Sequence, residues 1–458
     1  MTLHMARIGL IAGARTPADP APVEAAVAAT HAAMRGLRCL SSFDRAAILD
    51  RVASALREDR QNLAAALARE SGYLTVRDML LEVDRSVDVF TLCAALARTG
   101  MDETINLDAA ARGRSAIGLV KRRPIGPVLA ITAFNGPILI AAHKIAPAIV
   151  AGCSIVIKPS PRVPDAAVRL AEHIVAAGWP SEALAVLPVS DEQTGALIRD
   201  ERFPVISFTG GDFGWRIKEM APLKRVHLEL GGVGAVIVAA DADLDLAAAE
   251  CSIGGFVRSG QACISVQRVY VERPAYQAFV ELLTQRIGGI VIGDVSNEAT
   301  QVGPLVDASA ASKVESMIVD AVSKGAQRIC GGARDGNLVP PTLLANASPD
   351  MLVMRKEIFG PVMAVAPVDT LDEAVNEANA IGGAIHTGVF TSNLDTAFRL
   401  ADELDAGGVI INGSNAWRVD QMPYGGVGKS GFGREGVRSM VLEYTEPKVI
   451  VVRRRLSS

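Results

Sequence analysis

Between Pro124 and Gly232 short apolar runs take turns with helical segments, and few architectures accept that alternation. Val128–Ala133, Ser154–Ile157, Ala183–Leu187, Val205–Phe208 and Arg225–Leu230 read as strands. Ile138–Ala151, Asp165–Ala177 and Glu192–Asp200 read as the helices between them. Strands joined through helices pair in parallel, which predicts a doubly wound α/β sheet. Such sheets bind ligands beyond the carboxyl ends of their strands. Asn135, Lys158, Thr209-Gly210-Gly211 and Glu229 stand at those ends, each polar or glycine after an apolar run.

A second α/β unit is predicted from about Gly234 to Ile411. Its strands include Ala235–Val238, Val266–Val271 and Gly388–Thr391, with helices near Ala275–Ile287, Ala308–Lys324 and Leu371–Ala380. Ahead of both units, Pro22 to about Leu96 is helical by apolar spacing; Ser42 or Asp44 can cap one helix and Ser71-Gly72 can stop it. Two stretches with basic ends, Ser115–Arg123 and Lys448–Leu456, read as exposed strands without a place in a core. Pairing between subunits is one outlet for such edges.

The 458 residues are half hydrophobic, which allows more than one domain. A net charge of −4 leaves no electrostatic footprint for nucleic acid. No uncharged apolar run is long enough to cross a membrane, and Met1–Gly13 lacks the pattern of a secretory signal. The six cysteines and six histidines are scattered without metal-ligand spacing. We therefore expect no metal site and reduced thiols in the cytoplasm.

Ser259-Gly260-Gln261-Ala262-Cys263 places one of those thiols in a turn-prone setting. Ile264, Val266, Val269 and Val271 alternate behind it, so the thiol is expected at the mouth of a strand. Six further segments accompany it: Phe134-Asn135-Gly136-Pro137, Lys158-Pro159-Ser160, Phe208–Gly211, Leu228–Gly232, Glu357-Ile358-Phe359-Gly360-Pro361 and the glycine-rich Pro423–Gly436. In this order and over nearly the whole chain they resemble the aldehyde dehydrogenase superfamily.

The resemblance implies two doubly wound, Rossmann-like domains with a small β extension for oligomerisation. Residues 1–111 and 124–232 would bind the cofactor and 233–411 would carry the nucleophile. Residues 112–123 and 437–458 would supply the oligomerisation strands, and 412–436 a loop lining the site. A homodimer or homotetramer follows from the same resemblance.

The chemistry can be argued beside it. A carbonyl carbon releases no hydride until a nucleophile adds, and the Cys263 thiolate is the candidate nucleophile. The oxyanion then needs fixed donors, which the Asn135 amide and the Cys263 backbone N–H can supply. The resulting thioester needs a base to activate water, and Glu229 is that candidate. On their own residues, Asn135 also reads as a turn residue and Glu229 as an ion-pair partner of Arg225 or Lys224. The presence of Glu229 favours an acid product over acyl transfer to coenzyme A.

For the cofactor, Lys158 can reach an adenosine ribose or phosphate, and Thr209, Gly210 and Gly211 let a pyrophosphate approach the next helix, with Gly214 on that helix. The resemblance adds Ser160 of the Lys-Pro-Ser motif and Glu357 and Phe359, which it places on the nicotinamide side. Many NAD-preferring relatives carry a glutamate where this chain has Pro161 followed by Arg162. Either NAD or NADP fits, with NAD slightly ahead. Ile140, His143, Ala262 and Ile264 are expected along the substrate entrance, and Trp417 and Arg418 on the substrate-side loop. A histidine and an arginine there suit a small polar or anionic aldehyde, although Arg418 can equally pair with Asp420 or another carboxylate.

Overall fold

The five apolar runs of the first half form the parallel centre of an eight-stranded sheet. Across it run Gly431–Phe432, Arg225–Glu229, Val205–Thr209, Val128–Ile131, Ile155–Lys158, Leu184–Val186, Ile8–Ile11 and Ala14–Pro17. The computed structural model describes residues 8–17 and 22–453, and Met1–Arg7 of the N-terminal reading lie outside them. The strand residues are buried on both faces, as a parallel sheet covered by helices requires.

The N-terminal helical region divides into Val23–Leu37, Ser42–Glu58, Arg60–Ser71 and Val76–Thr99. Ser41, rather than Ser42 or Asp44, is the cap: its hydroxyl accepts the Asp44 N–H while the Asp44 carboxylate accepts the Ser41 N–H. Gly72 ends the third helix in the left-handed region, at φ +70°. The long Val76–Thr99 helix packs against Pro137–Ala151, so two elements far apart in sequence form one wall beside the sheet.

The second sheet has seven strands in the order Gln327–Cys330, Thr342–Ala345, Val362–Val368, Arg268–Glu272, Ala235–Val238, Ala384–Phe390 and Ala406–Ile411. All pairings are parallel except that of Gln327–Cys330. The strand expected behind Cys263 starts late, at Arg268. Residues 262–267 turn instead: Ser265 N–H donates to Ala262 O at 3.0 Å and Val266 N–H to Gly254 O at 3.2 Å. The apolar alternation there reflects burial of Val266 against Gly254, whose absent Cβ would lie 2.8 Å from it, and not strand pairing.

The two basic-ended stretches pair with each other. Thr445–Arg453 runs antiparallel to Ala116–Pro124, and Glu103–Ile105 adds a third strand. Residues 454–456 of the predicted C-terminal stretch lie outside the described residues. Among the described residues no helix is long and apolar enough to cross a membrane, and no group of His, Cys, Asp and Glu is arranged to hold a metal ion.

Candidate active site

Cys263 follows a turn that its own sequence makes strained. After the Leu244–Phe256 helix, Arg258 and Ser259 take left-handed φ angles of +54° and +56°, and Gly260 continues at +71°. Non-glycine residues held there cost about 1–3 kcal/mol each, which the surroundings must over-determine. They do so by hydrogen bonds. Ser259 Oγ donates to Gly303 O at 2.9 Å and accepts Gly303 N–H at 3.0 Å, while Gln261 Oε1 accepts Val306 N–H. A Cβ on Gly260 would stand 2.1 Å from Gly360 O, so only glycine passes that point.

This turn brings the thiol to the carboxyl ends of the first sheet. Asn135, 6 % exposed, follows the Val128–Ile131 strand, and its Nδ2 donates to Gln261 O at 2.9 Å. One amide N–H is thereby fixed and the second is left to point at a ligand. Glu229 ends its strand buried, and neither carboxyl oxygen has a hydrogen-bond partner among the described residues. Burial, reinforced by the negative charge of Glu435, raises its carboxyl well above the ordinary range, against Arg418, Lys144 and Arg434. Burial likewise pushes the Cys263 thiol up to about 11, although Tyr424 OH, 2.9 Å from Sγ, pulls it down.

Behind these groups lies a charged framework. Arg418 Nη2 donates to Glu435 at 2.8 Å, and the guanidinium sits 3.6 Å over the Tyr424 ring. Asp420 accepts from Arg85 at 2.5 and 3.1 Å and lies 2.9 Å from His143 Nε2. Burial alone would raise Glu435, but His143, Arg418 and Lys144 hold it down at about 2. Buried Lys144 donates to Ser207 Oγ at 2.8 Å. Arg225 and Lys224, the partners considered for Glu229, engage Glu446 and the carbonyls of Ile198 and Asp200 instead.

One cavity of about 700 Å³ joins these residues to Lys158, Ser160, Pro161, Thr209, Gly210 and Gly211. Its features fit a dinucleotide. Thr209 Oγ1 is buried without a partner, and nothing lies within 4 Å of a Cβ on Gly211 at the entry to the Phe213–Met220 helix. Glu357 reaches Gly232 N–H at 3.2 Å, and burial raises its carboxyl to about 7. Phe359, at φ +57°, presents its ring edge-on to Phe134 with centroids 5.8 Å apart.

The sequence model of the aldehyde dehydrogenase family matches residues 11–450. The chain belongs to that family. It is 38% identical over 432 residues to a 3-sulfolactaldehyde dehydrogenase of Priestia aryabhattai, covering 94% of this chain and 90% of that protein. The crystal structure of aldehyde dehydrogenase 21 from Physcomitrella patens, in complex with the reaction product succinate, superposes with a TM-score of 0.92. Its sequence is 34% identical, over 99% of this chain and 96% of that one. The glyceraldehyde-3-phosphate dehydrogenase GapN of Methanocaldococcus jannaschii, complexed with NADP, superposes with a TM-score of 0.91 at 32% identity, over 98% and 99% of the two chains.

Within this aldehyde dehydrogenase chain the cavity gathers Asn135, Ile140, His143, Glu229, Ala262, Cys263, Ile264 and Arg418 beside Lys158, Ser160, Thr209, Gly210, Gly211, Glu357 and Phe359. Two predicted residues lie elsewhere. Gly214 does not line the cavity; a Cβ there would meet Leu230 at 2.4 Å, so its size lets the helix close on the sheet. Trp417 is 46 % exposed and outside the cavity lining. Arg418 is committed to Glu435, and His143, 1 % exposed, to Asp420. Sequence reasoning missed Tyr424, Glu435 and Arg85. Tyr424 and Glu435 belong to the Pro423–Gly436 loop that the glycine density had marked, but no local signal distinguished them from its other residues.

Proposed function

We propose that the protein oxidises a small polar or anionic aldehyde to its carboxylic acid with NAD or NADP. The observation that carries this reading is the placement of Cys263 and a buried Glu229, whose carboxyl oxygens make no hydrogen bond among the described residues, in one cavity with Lys158, Thr209 and Glu357. A buried carboxyl without a hydrogen bond costs stability, which supports a functional reason for its place.

Cys263 adds to the aldehyde carbon, its proton leaving to a nearby base and the carbonyl oxygen becoming an oxyanion. The free Asn135 N–H and the Cys263 backbone N–H receive that charge. Hydride acceptance is the chemistry that NAD or NADP supplies when bound. The acyl group is then held on Cys263 as a thioester. Glu229, its affinity for protons raised by burial, takes a proton from water as the water adds to the thioester carbon, and the carboxylic acid leaves with the thiolate restored. Lys158, Ser160 and the Thr209–Gly211 turn would hold the adenosine and pyrophosphate, and Glu357 and Phe359 the nicotinamide side. Following absorbance of the reduced nicotinamide over a panel of hydroxy-, carboxy- and phospho-aldehydes tests the reading; no turnover of any of them sinks it.

NAD stays slightly ahead of NADP. Arg162, the cation that follows Pro161, is paired with Asp307 and does not line the cavity. The expected preference in kcat/KM is modest, about two- to tenfold, because the pair is half exposed and weak. A tenfold advantage for NADP would reverse the ordering.

The three-stranded Glu103–Ile105, Ala116–Pro124, Thr445–Arg453 sheet exposes Ile117, Val449, Val451 and Val452, which a second copy would cover. Light scattering is expected to give two or four times 48.0 kDa, and a monomer alone would refute assembly. A reducing cytoplasm is the location we propose, and scattered, unpaired cysteines support that reading; activity lost on adding thiol reductant would contradict it.

A further inference from the structure

Several cations face the cavity, and most are already engaged. Arg85 is bound by Asp420 and Arg418 by Glu435, while Lys313 Nζ donates to Glu357 O at 2.9 Å. Arg258 differs. Its side chain is 13 % exposed, and among the described residues its guanidinium makes no hydrogen bond. It forms an ion pair with Glu82, Oε1 lying 3.4 Å from Nη2, without hydrogen-bond geometry. A guanidinium carries five N–H donors, and none of the Arg258 nitrogens is among the fully buried unpartnered atoms, so donors stay open toward the cavity that the residue lines.

Two features aim this group at the substrate. Its backbone is held at φ +54° by the same turn that delivers Cys263, five residues later. Its Nη1 lies 3.3 Å from where a Cβ of Gly136 would be, directly after Asn135. Gly136 has φ −154°, which any residue can adopt, so what the missing side chain provides is room for the guanidinium. Burial raises the carboxyls of Glu82 and Asp78, and the charge of Arg258 opposes that rise in both.

We propose that Arg258 grips the terminal oxyanion, carboxylate or sulfonate, of a short-chain aldehyde and so sets the substrate class. This rests on the dehydrogenase reading above. The planar fork pairs with such groups through two parallel hydrogen bonds, and its closeness to Asn135 demands a short tail. Arg258 touches the tail and not the reacting carbon, so it acts on binding.

Succinate semialdehyde and butanal, alike in carbon count and differing in the carboxylate, are the test pair. Wild type is expected to favour the first in kcat/KM. Arg258→Gln should raise KM for succinate semialdehyde about thirtyfold, the effect of losing a charge-assisted hydrogen bond, and change butanal less than about threefold. Arg258→Lys, which keeps the charge without the fork, should restore part of the preference. Equal losses for both aldehydes, or no preference in wild type, overturn the inference. If the variants do not fold, inhibition of wild type decides: succinate should compete more strongly than butyrate, and parity overturns the proposal. Absence of turnover with every aldehyde of the wider panel would fail the dehydrogenase reading itself, whereas turnover of other aldehydes without succinate semialdehyde overturns this inference alone.

Discussion

Replacing Cys263 with alanine is expected to lower kcat/KM for every aldehyde by at least about four orders of magnitude, since no other group can form the covalent adduct. The chain should stay folded, because the thiol is only partly buried and its one hydrogen bond is to Tyr424. Unchanged thermal unfolding beside lost turnover is therefore the signature. The wild-type thiol carries its own pH test. Burial pushes it up to about 11, so neutral thiol prevails at neutral pH and thiolate grows as pH rises. Alkylation of Cys263 by iodoacetamide should accelerate about tenfold per pH unit over the neutral to alkaline range. Turnover that survives Cys263→Ala would remove the central claim, and a pH-independent alkylation rate would contradict the neutral thiol.

Glu229→Gln is expected to separate the two halves of the reaction. At alkaline pH, where thiolate forms without help from a carboxylate, one equivalent of reduced nicotinamide per chain should appear in a burst. Steady turnover should then fall about 10²- to 10⁴-fold, the range for loss of a general base. Mass spectrometry of the intact chain should find the acyl group retained on Cys263. The sign of the wild-type pH profile follows from the same residue. Glu229 has a raised pKa and acts as base only when deprotonated, so thioester hydrolysis should increase with pH through that value and lose this limb in the variant. Wild-type steady turnover in Glu229→Gln, or a requirement for coenzyme A in the native enzyme, would contradict the assignment.

Local pattern was enough where one element answers to its own residues. The Val205–Phe208 run became a parallel strand, with Thr209 added at its end, because apolar side chains on both faces have no other stable place. It was not enough at Ile264 and Val266, where alternation came from packing against Gly254 and the ladder began only at Arg268. Gly214 shows the same limit: its need for a small residue was legible, but the neighbour that imposes it, Leu230, was not.

What the sequence by itself determined was the alternation that makes a doubly wound sheet and the residue types at its strand ends, Asn135, Lys158, Thr209 and Glu229. Both follow from properties each segment carries alone, its periodicity and its polarity. Only the tertiary structure decided which charges are spent. Arg85 meets Asp420 across 335 positions, Arg418 is taken by Glu435, and Arg258, ion-paired with Glu82 at 3.4 Å, keeps donors open beside Gly136. An ion pair depends on distances that no single segment encodes. The chemistry could therefore be read along the chain, while the group that meets the substrate's charge emerged only when the chain was folded.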